Sequence, residues 1–145
     1  MSGAPIEVLR RVPLFADLNE DELTQVASVF KERRFSDGET VIQQGSGAAA
    51  FFVIVSGEAT VFVDGKERRR LNEGDYFGEM ALIDAGTRTA TVVASSELLC
   101  SGVVFWDFRP VVEQNGAVGW KLLQSLIAIY RSEREAQAGS SQEPD

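Results

Sequence analysis

The chain contains no histidine, and that absence excludes several functions. Histidine is the commonest general base, proton shuttle and metal ligand near neutral pH. Without it, nucleophilic triads that rely on an imidazole have no base. There is one cysteine, Cys100. A lone thiol cannot close an internal disulfide, and an ordinary zinc site would lack ligands. Cys100 follows Leu98 and Leu99, so it is expected as a buried or half-buried strand thiol in a reducing compartment. No Asp-rich calcium loop is present either. With no metal, cofactor or base at hand, the chain is not expected to be an enzyme. Long apolar runs are also missing, and none approaches a membrane span. Met1–Pro5 has neither the basic start nor the apolar stretch of a signal peptide. The expected setting is the cytoplasm, with no membrane partner. Positive charge is scarce as well: 14 Lys and Arg face 22 Asp and Glu, a net charge of −8. Nucleic-acid binders need phosphate-neutralising cations on one face, so no nucleic-acid partner is expected. Arg33-Arg34 and Arg68-Arg69-Arg70 are the densest basic runs. Both adjoin glutamates (Glu32, Glu67) and read as solvated strand positions.

What is present suits one domain. A chain of 145 residues fits the usual single-domain length and can bury a core without staples. Ile6, Leu9 and Val12 share a helical stripe that Pro13 ends. Asn19 followed by Glu22 has the form of a capping box and predicts a helix with Leu23, Val26, Ala27 and Phe30 on its apolar face. From Arg33 the period becomes two. Strands are predicted over 31–35, 40–43, 51–56, 59–63, 67–71, 89–94 and 97–103. Turn signals at Asp37-Gly38, Gly45-Ser46-Gly47, Ser56-Gly57, Asp64-Gly65 and Glu73-Gly74-Asp75 separate them. A short helix is predicted over 105–113, where Pro110 is expected near the start or at a kink. After the Asn115-Gly116 break comes a longer helix over 117–136, with Trp120, Leu123, Ile127 and Tyr130 on one face and Leu122, Leu126 and Ile129 on the next. The fold class expected is mainly β with flanking helices: an antiparallel double-sheet jelly roll, or β-roll, with one inserted short helix. It divides into N-terminal helices (1–31), a β-roll (32–104) and C-terminal helices (105–136), with a small, polar, disordered tail over 137–145.

One stretch is richer in chemistry than the rest: Tyr76-Phe77-Gly78-Glu79-Met80-Ala81-Leu82-Ile83-Asp84-Ala85-Gly86-Thr87-Arg88-Thr89-Ala90-Thr91-Val92. Gly78 allows a sharp turn after the aromatic pair. Residues 79–83 read as about one helical turn, whose free N–H groups and dipole favour an anion. Gly86-Thr87 reverses the chain, and Arg88 returns with a planar fork suited to two anionic oxygens. Singly, each of these residues has a bland reading as a turn or a surface ion pair. Their order and spacing together do not.

That stretch resembles the phosphate-binding cassette of cyclic-nucleotide-binding domains. The family includes the catabolite activator protein, kinase regulatory subunits and cyclic-nucleotide-gated channels. The nine-position spacing of Glu79 and Arg88 resembles the kinase-regulatory-subunit variant. The resemblance implies that Glu79 accepts the ribose 2′-hydroxyl and Arg88 neutralises the cyclic phosphate. It implies backbone amides from Met80, Ala81 and Ala90, and a hydroxyl from Thr89. The ligand-binding set is thus Phe77, Gly78, Glu79, Met80, Ala81, Arg88, Thr89 and Ala90, for cAMP in preference to cGMP. No other cofactor is implied. The last helix would be a lid over the base that moves about a hinge near 103–105 and signals to an effector protein not identified by the sequence. Its wide apolar surface has two other readings: pairing with a second copy, and packing on the protein's own strands. A jelly-roll scaffold with a degenerate pocket is the alternative for the whole chain.

Overall fold

The computed structural model describes residues 6–45, 50–78 and 89–140. Helix α1 (Ile6–Arg10) leads into a 3-10 turn at Pro13–Phe15, then α2 (Glu20–Ala27). Strands β1 (Lys31–Phe35), β2 (Thr40–Ile42), β3 (Ala50–Ser56), β4 (Ala59–Val63), β5 (Lys66–Leu71), β6 (Tyr76–Phe77), β7 (Thr91–Ala94) and β8 (Leu98–Val104) follow. Helices α3 (Phe105–Gln114) and α4 (Gly116–Ser140) complete the chain. Two antiparallel sheets form, in the orders β1-β8-β3-β6 and β2-β7-β4-β5. This is the expected β-roll with helices at both ends.

The apolar run of β3 explains how the layers stack. Alternate strand residues point to opposite faces. Phe52 and Ile54 enter the core between the sheets, with Ile42, Val61, Leu71, Val92 and Leu98. Phe51 and Val53 face the helices, where they meet Leu9, Phe15, Phe30, Phe108, Val118 and Leu122. A strand buried on both faces needs an unbroken hydrophobic sequence rather than an alternating one. Gly102 of β8 lies opposite Phe52. A Cβ there would come within 2.7 Å of the Phe52 ring, so the ring's seat requires glycine.

The local helix signals appear in the structure as hydrogen bonds. Asn19 Oδ1 accepts the Glu22 N–H and Glu22 Oε1 accepts the Asn19 N–H, each at 2.9 Å. Pro13 does more than end the first helix: it occupies the first turn of a 3-10 segment, where its missing N–H costs nothing. Pro110, expected near a helix start or kink, sits instead as the sixth residue of α3. There it cannot donate to the Trp106 carbonyl. The strand expected from residue 89 begins at Thr91, and Thr89 and Ala90 form an irregular lead-in. β6 has no counterpart among the expected strands. α4 runs to Ser140, four residues past the expected helix end.

α4 is fixed to the N-terminal helices by polar and apolar contacts. Val118, Leu122 and Ser125 are its buried positions. Lys121 Nζ donates to Glu22 Oε1 at 2.7 Å, Asn115 Nδ2 to Gln25 Oε1 at 2.9 Å, and Ser125 Oγ to Asp17 Oδ2 at 3.4 Å. The Lys121 ammonium, and then the Asn19 N–H, hold the Glu22 carboxyl below its usual range. The opposite stripe of α4, Trp120, Leu123, Ile127 and Tyr130, is more than half exposed.

Phe15 is fully buried and touches three other rings: Phe30, Phe51 and Phe108, with centroids at 6.5, 6.0 and 6.3 Å. Phe15→Ala should lower unfolding stability by about 3–5 kcal/mol in urea titration. A loss near zero would show that the helices contribute little to the fold. The Glu22 pair also predicts a pH dependence. A carboxyl whose folded pKa is depressed stabilises fully above its unfolded value, here 4.5, and that stability is lost as pH falls through the lower folded value. Glu22→Gln keeps the capping geometry but loses the charge. Its stability difference from the parent should therefore be constant near neutral pH and shrink below pH 4.5. A difference unchanged through the acid range would discount the ion pair.

Candidate functional site

β6 brings the chain to the site on a short, well-buried stem. Phe77 pairs with Phe52 and Tyr76 with Val53. The Phe77 ring stacks on Phe52 at 5.3 Å and 26° and is buried in the core between the sheets. Tyr76 points the other way, against Phe51 at 6.0 Å. Just before the stem, the Ile54 N–H donates to the Asp75 carbonyl at 2.8 Å and the Gly74 N–H to the Ile54 carbonyl at 2.9 Å. Gly78 follows with φ +85°, in the left-handed region that side-chain-bearing residues rarely adopt. The positive φ agrees with the glycine requirement expected there.

The segment's exit is anchored on the same core. Thr89 is exposed, while Ala90 is partly buried and packs against the cluster that holds Phe77 and Val92. The Thr91 hydroxyl accepts the Gln44 N–H at 2.9 Å and the Gln43 amide at 3.4 Å. Gln44 in turn clamps Asp64: its Nε2 donates to Asp64 Oδ1 and its Oε1 accepts the Asp64 N–H, both at 2.9 Å. The exit is thereby tied to the end of β2 and to the β4–β5 hairpin.

Of the eight residues expected at the site, the structure describes Phe77, Gly78, Thr89 and Ala90, which flank the segment. Glu79, Met80, Ala81 and Arg88 lie outside the described residues, as do the short helix expected over 79–83 and the Gly86-Thr87 turn. Phe77 commits its side chain to the core, so its role is to support the stem rather than to touch a ligand. Gln43, Gln44 and Thr91 were not foreseen as positioning residues. Their bonds join positions 47 and 48 residues apart, and no local pattern signals such a pairing. The two stems, which end at Gly78 and resume at Thr89, are thus seated on one hydrophobic core through Phe77 and Ala90.

Other chemistry is absent from the described parts. Among the described residues no group of three or more His, Cys, Asp or Glu could hold a metal ion. Burial pushes the Cys100 thiol up to about 12, which keeps it protonated and unreactive. Among the described residues no helix is long and apolar enough to cross a membrane.

Comparison with known proteins agrees with this architecture. A family described as "Cyclic nucleotide-binding domain" matches residues 32–115. A cGMP-dependent protein kinase of Toxoplasma gondii is 35% identical over 99 residues, covering 68% of this chain and 10% of the kinase. A cAMP-dependent protein kinase regulatory subunit of Colletotrichum orbiculare is 34% identical over 94 residues, covering 63% of this chain and 24% of the subunit. The chain therefore spans between a tenth and a quarter of these relatives' lengths. Among solved structures, the N-terminal domain of a transcriptional regulator from Streptomyces coelicolor superposes with a TM-score of 0.80 at 27% identity, covering 89% of this chain and 96% of that one. With more than half of its length matched, and with both stems of the cassette segment inside the match, the chain belongs to the cyclic nucleotide-binding domain family.

Proposed function

We propose that the chain is a regulatory receptor module, not an enzyme, that binds cAMP in preference to cGMP in the 78–90 segment. The observation that carries this is the family match across 32–115, which includes both stems and the Glu79–Arg88 pair. Arg88 neutralises the cyclic phosphate with two parallel hydrogen bonds, helped by backbone amides at Met80, Ala81 and Ala90. Glu79 accepts the ribose 2′-hydroxyl. Thr89, exposed at the exit, offers its hydroxyl to the base or the phosphate. The relatives include proteins named for each nucleotide, so the choice between them rests on titration.

Ligand binding moves the C-terminal helices if the moved state binds better than the resting one. α3 starts directly where β8 ends, at the junction expected to act as a hinge. α4 then passes the signal to an effector protein in the cytoplasm.

A second proposal concerns self-association. Trp120, Leu123, Ile127 and Tyr130 follow a three-four-three spacing, as in the seam of a two-stranded coiled coil. Arg134 continues the stripe and lies over the Tyr130 ring at 5.7 Å. The stripe suits a second copy of the chain through α4.

Melting in the presence of cAMP, cGMP and AMP tests the receptor reading. Ligand at a hundred times its Kd stabilises by about 2.7 kcal/mol, which raises the Tm of a domain this size by about 5–10 °C. cAMP should give the largest shift, and Arg88→Leu should remove it while leaving the unliganded Tm in place. Hydrogen exchange on α4 should change on saturation. Identical melting in every nucleotide would replace the receptor with a ligand-free scaffold. For self-association, sedimentation equilibrium should show a dimer that Ile127→Glu converts to monomer. A monomeric parent protein would refute it.

A further inference from the structure

β5 ends the sheet β2-β7-β4-β5, so among the described residues one side of its backbone has no strand partner. Lys66, Glu67, Arg68, Arg69 and Arg70 are all exposed. Four of these five are cationic, on a chain whose net charge is −8. The exception, Glu67, is paired with Arg70 Nε at 3.6 Å. Among the described residues no carboxylate lies within ion-pairing distance of Lys66, Arg68 or Arg69.

This edge is held firmly. Asp64 and Gly65 have φ of 53° and 78°, the left-handed pair that closes a tight hairpin. The Gln44 clamp on Asp64 fixes the hairpin to the rest of the roll. The ladder to β4 passes from Val61–Arg69 to Phe62–Glu67, which leaves Arg68 on a bulge that re-aims its side chain. Cations displayed from a rigid strand lose less freedom on binding than cations on a mobile loop. The same glutamine donates its backbone N–H to Thr91, so the edge and the exit of the cassette segment share one anchor.

The charge pattern selects among occupants. Two β5 edges cannot pair, because four cations would face four more. A long nucleic acid would meet the repulsion of the acidic body beyond the patch. A short acidic segment meets only the cations. We propose that β5 docks an extended Asp/Glu-rich segment of a partner protein, held by carboxylate contacts with Lys66, Arg68 and Arg69.

Fluorescence anisotropy on the full chain tests this with three labelled probes: a peptide alternating glutamate and threonine, its glutamine–threonine counterpart, and a single-stranded DNA of equal length. The glutamate peptide should bind, more weakly as salt is raised, and the glutamine peptide should not. Lys66→Gln/Arg68→Gln/Arg69→Gln should weaken binding by about tenfold or more. These side chains are exposed, and an unchanged Tm reports that the variant is folded. The proposal is overturned if the glutamate peptide does not bind, if both peptides bind alike, or if the triple variant keeps full affinity. Tighter binding of the DNA would overturn it too and assign the edge to nucleic acid.

Discussion

The structure depends on β3 being buried on both faces. Phe52 and Ile54 are part of the core between the sheets, and Phe51 and Val53 are part of the core under the helices. Full burial of side chains of this size contributes about 1.5–3 kcal/mol each. Edge-to-face ring pairs, such as Phe51 with Phe15 and Phe30, add about 0.5–1.5 kcal/mol beyond area. One strand therefore serves as common wall to two cores. On its inner face the Phe52 ring, seated over Gly102, carries Phe77 and with it the stem of the cassette segment. On its outer face Phe51 meets the helices. Tyr76, from the same strand pair, packs on Phe51, so the stem also touches the helical core.

The helices form a second unit with its own bonds. The three polar links between 17–25 and 115–125 all join the N-terminal helical region to the α3–α4 region. Glu22 is central among them, since one carboxylate oxygen both caps α2 and receives the Lys121 ammonium. Any movement of α4 away from α2 must break a charge-assisted bond and uncover Val118 and Leu122. These bonds and the buried side chains hold α4 to the N-terminal helices. Its outward stripe of Trp120, Leu123, Ile127 and Tyr130 stays exposed.

Much of this was legible in the sequence where the signal is local. The capping box at Asn19 and Glu22 involves residues three apart, and the Asp64-Gly65 hairpin is closed by the two residues that form it. A strand over 51–56 was expected, but its burial on both faces came only with the tertiary structure. The stretch from Tyr76 to Val92 marked the candidate site by the order of its residues. β6 was not legible, because two residues carry no periodicity and become a strand only by pairing with β3. Pro110 misled for a related reason: packing of Phe108 and the partly buried Val111 and Val112 holds α3 through a residue that disfavours helix interiors.

The sequence by itself determined the fold family and the capping and turn chemistry, and it marked the stretch that holds the candidate site. Such features arise between near neighbours or from the ordering of residue types along one stretch. Tertiary structure decided which face of α4 is covered, that Phe77 supports rather than touches, and that Gln44 joins the site's exit to the β4–β5 hairpin. Both apolar stripes of α4 are hydrophobic enough to be buried. Only α3 and the Pro13–Phe15 turn, whose Phe15 packs on Phe51 of β3, give one of them a surface to cover.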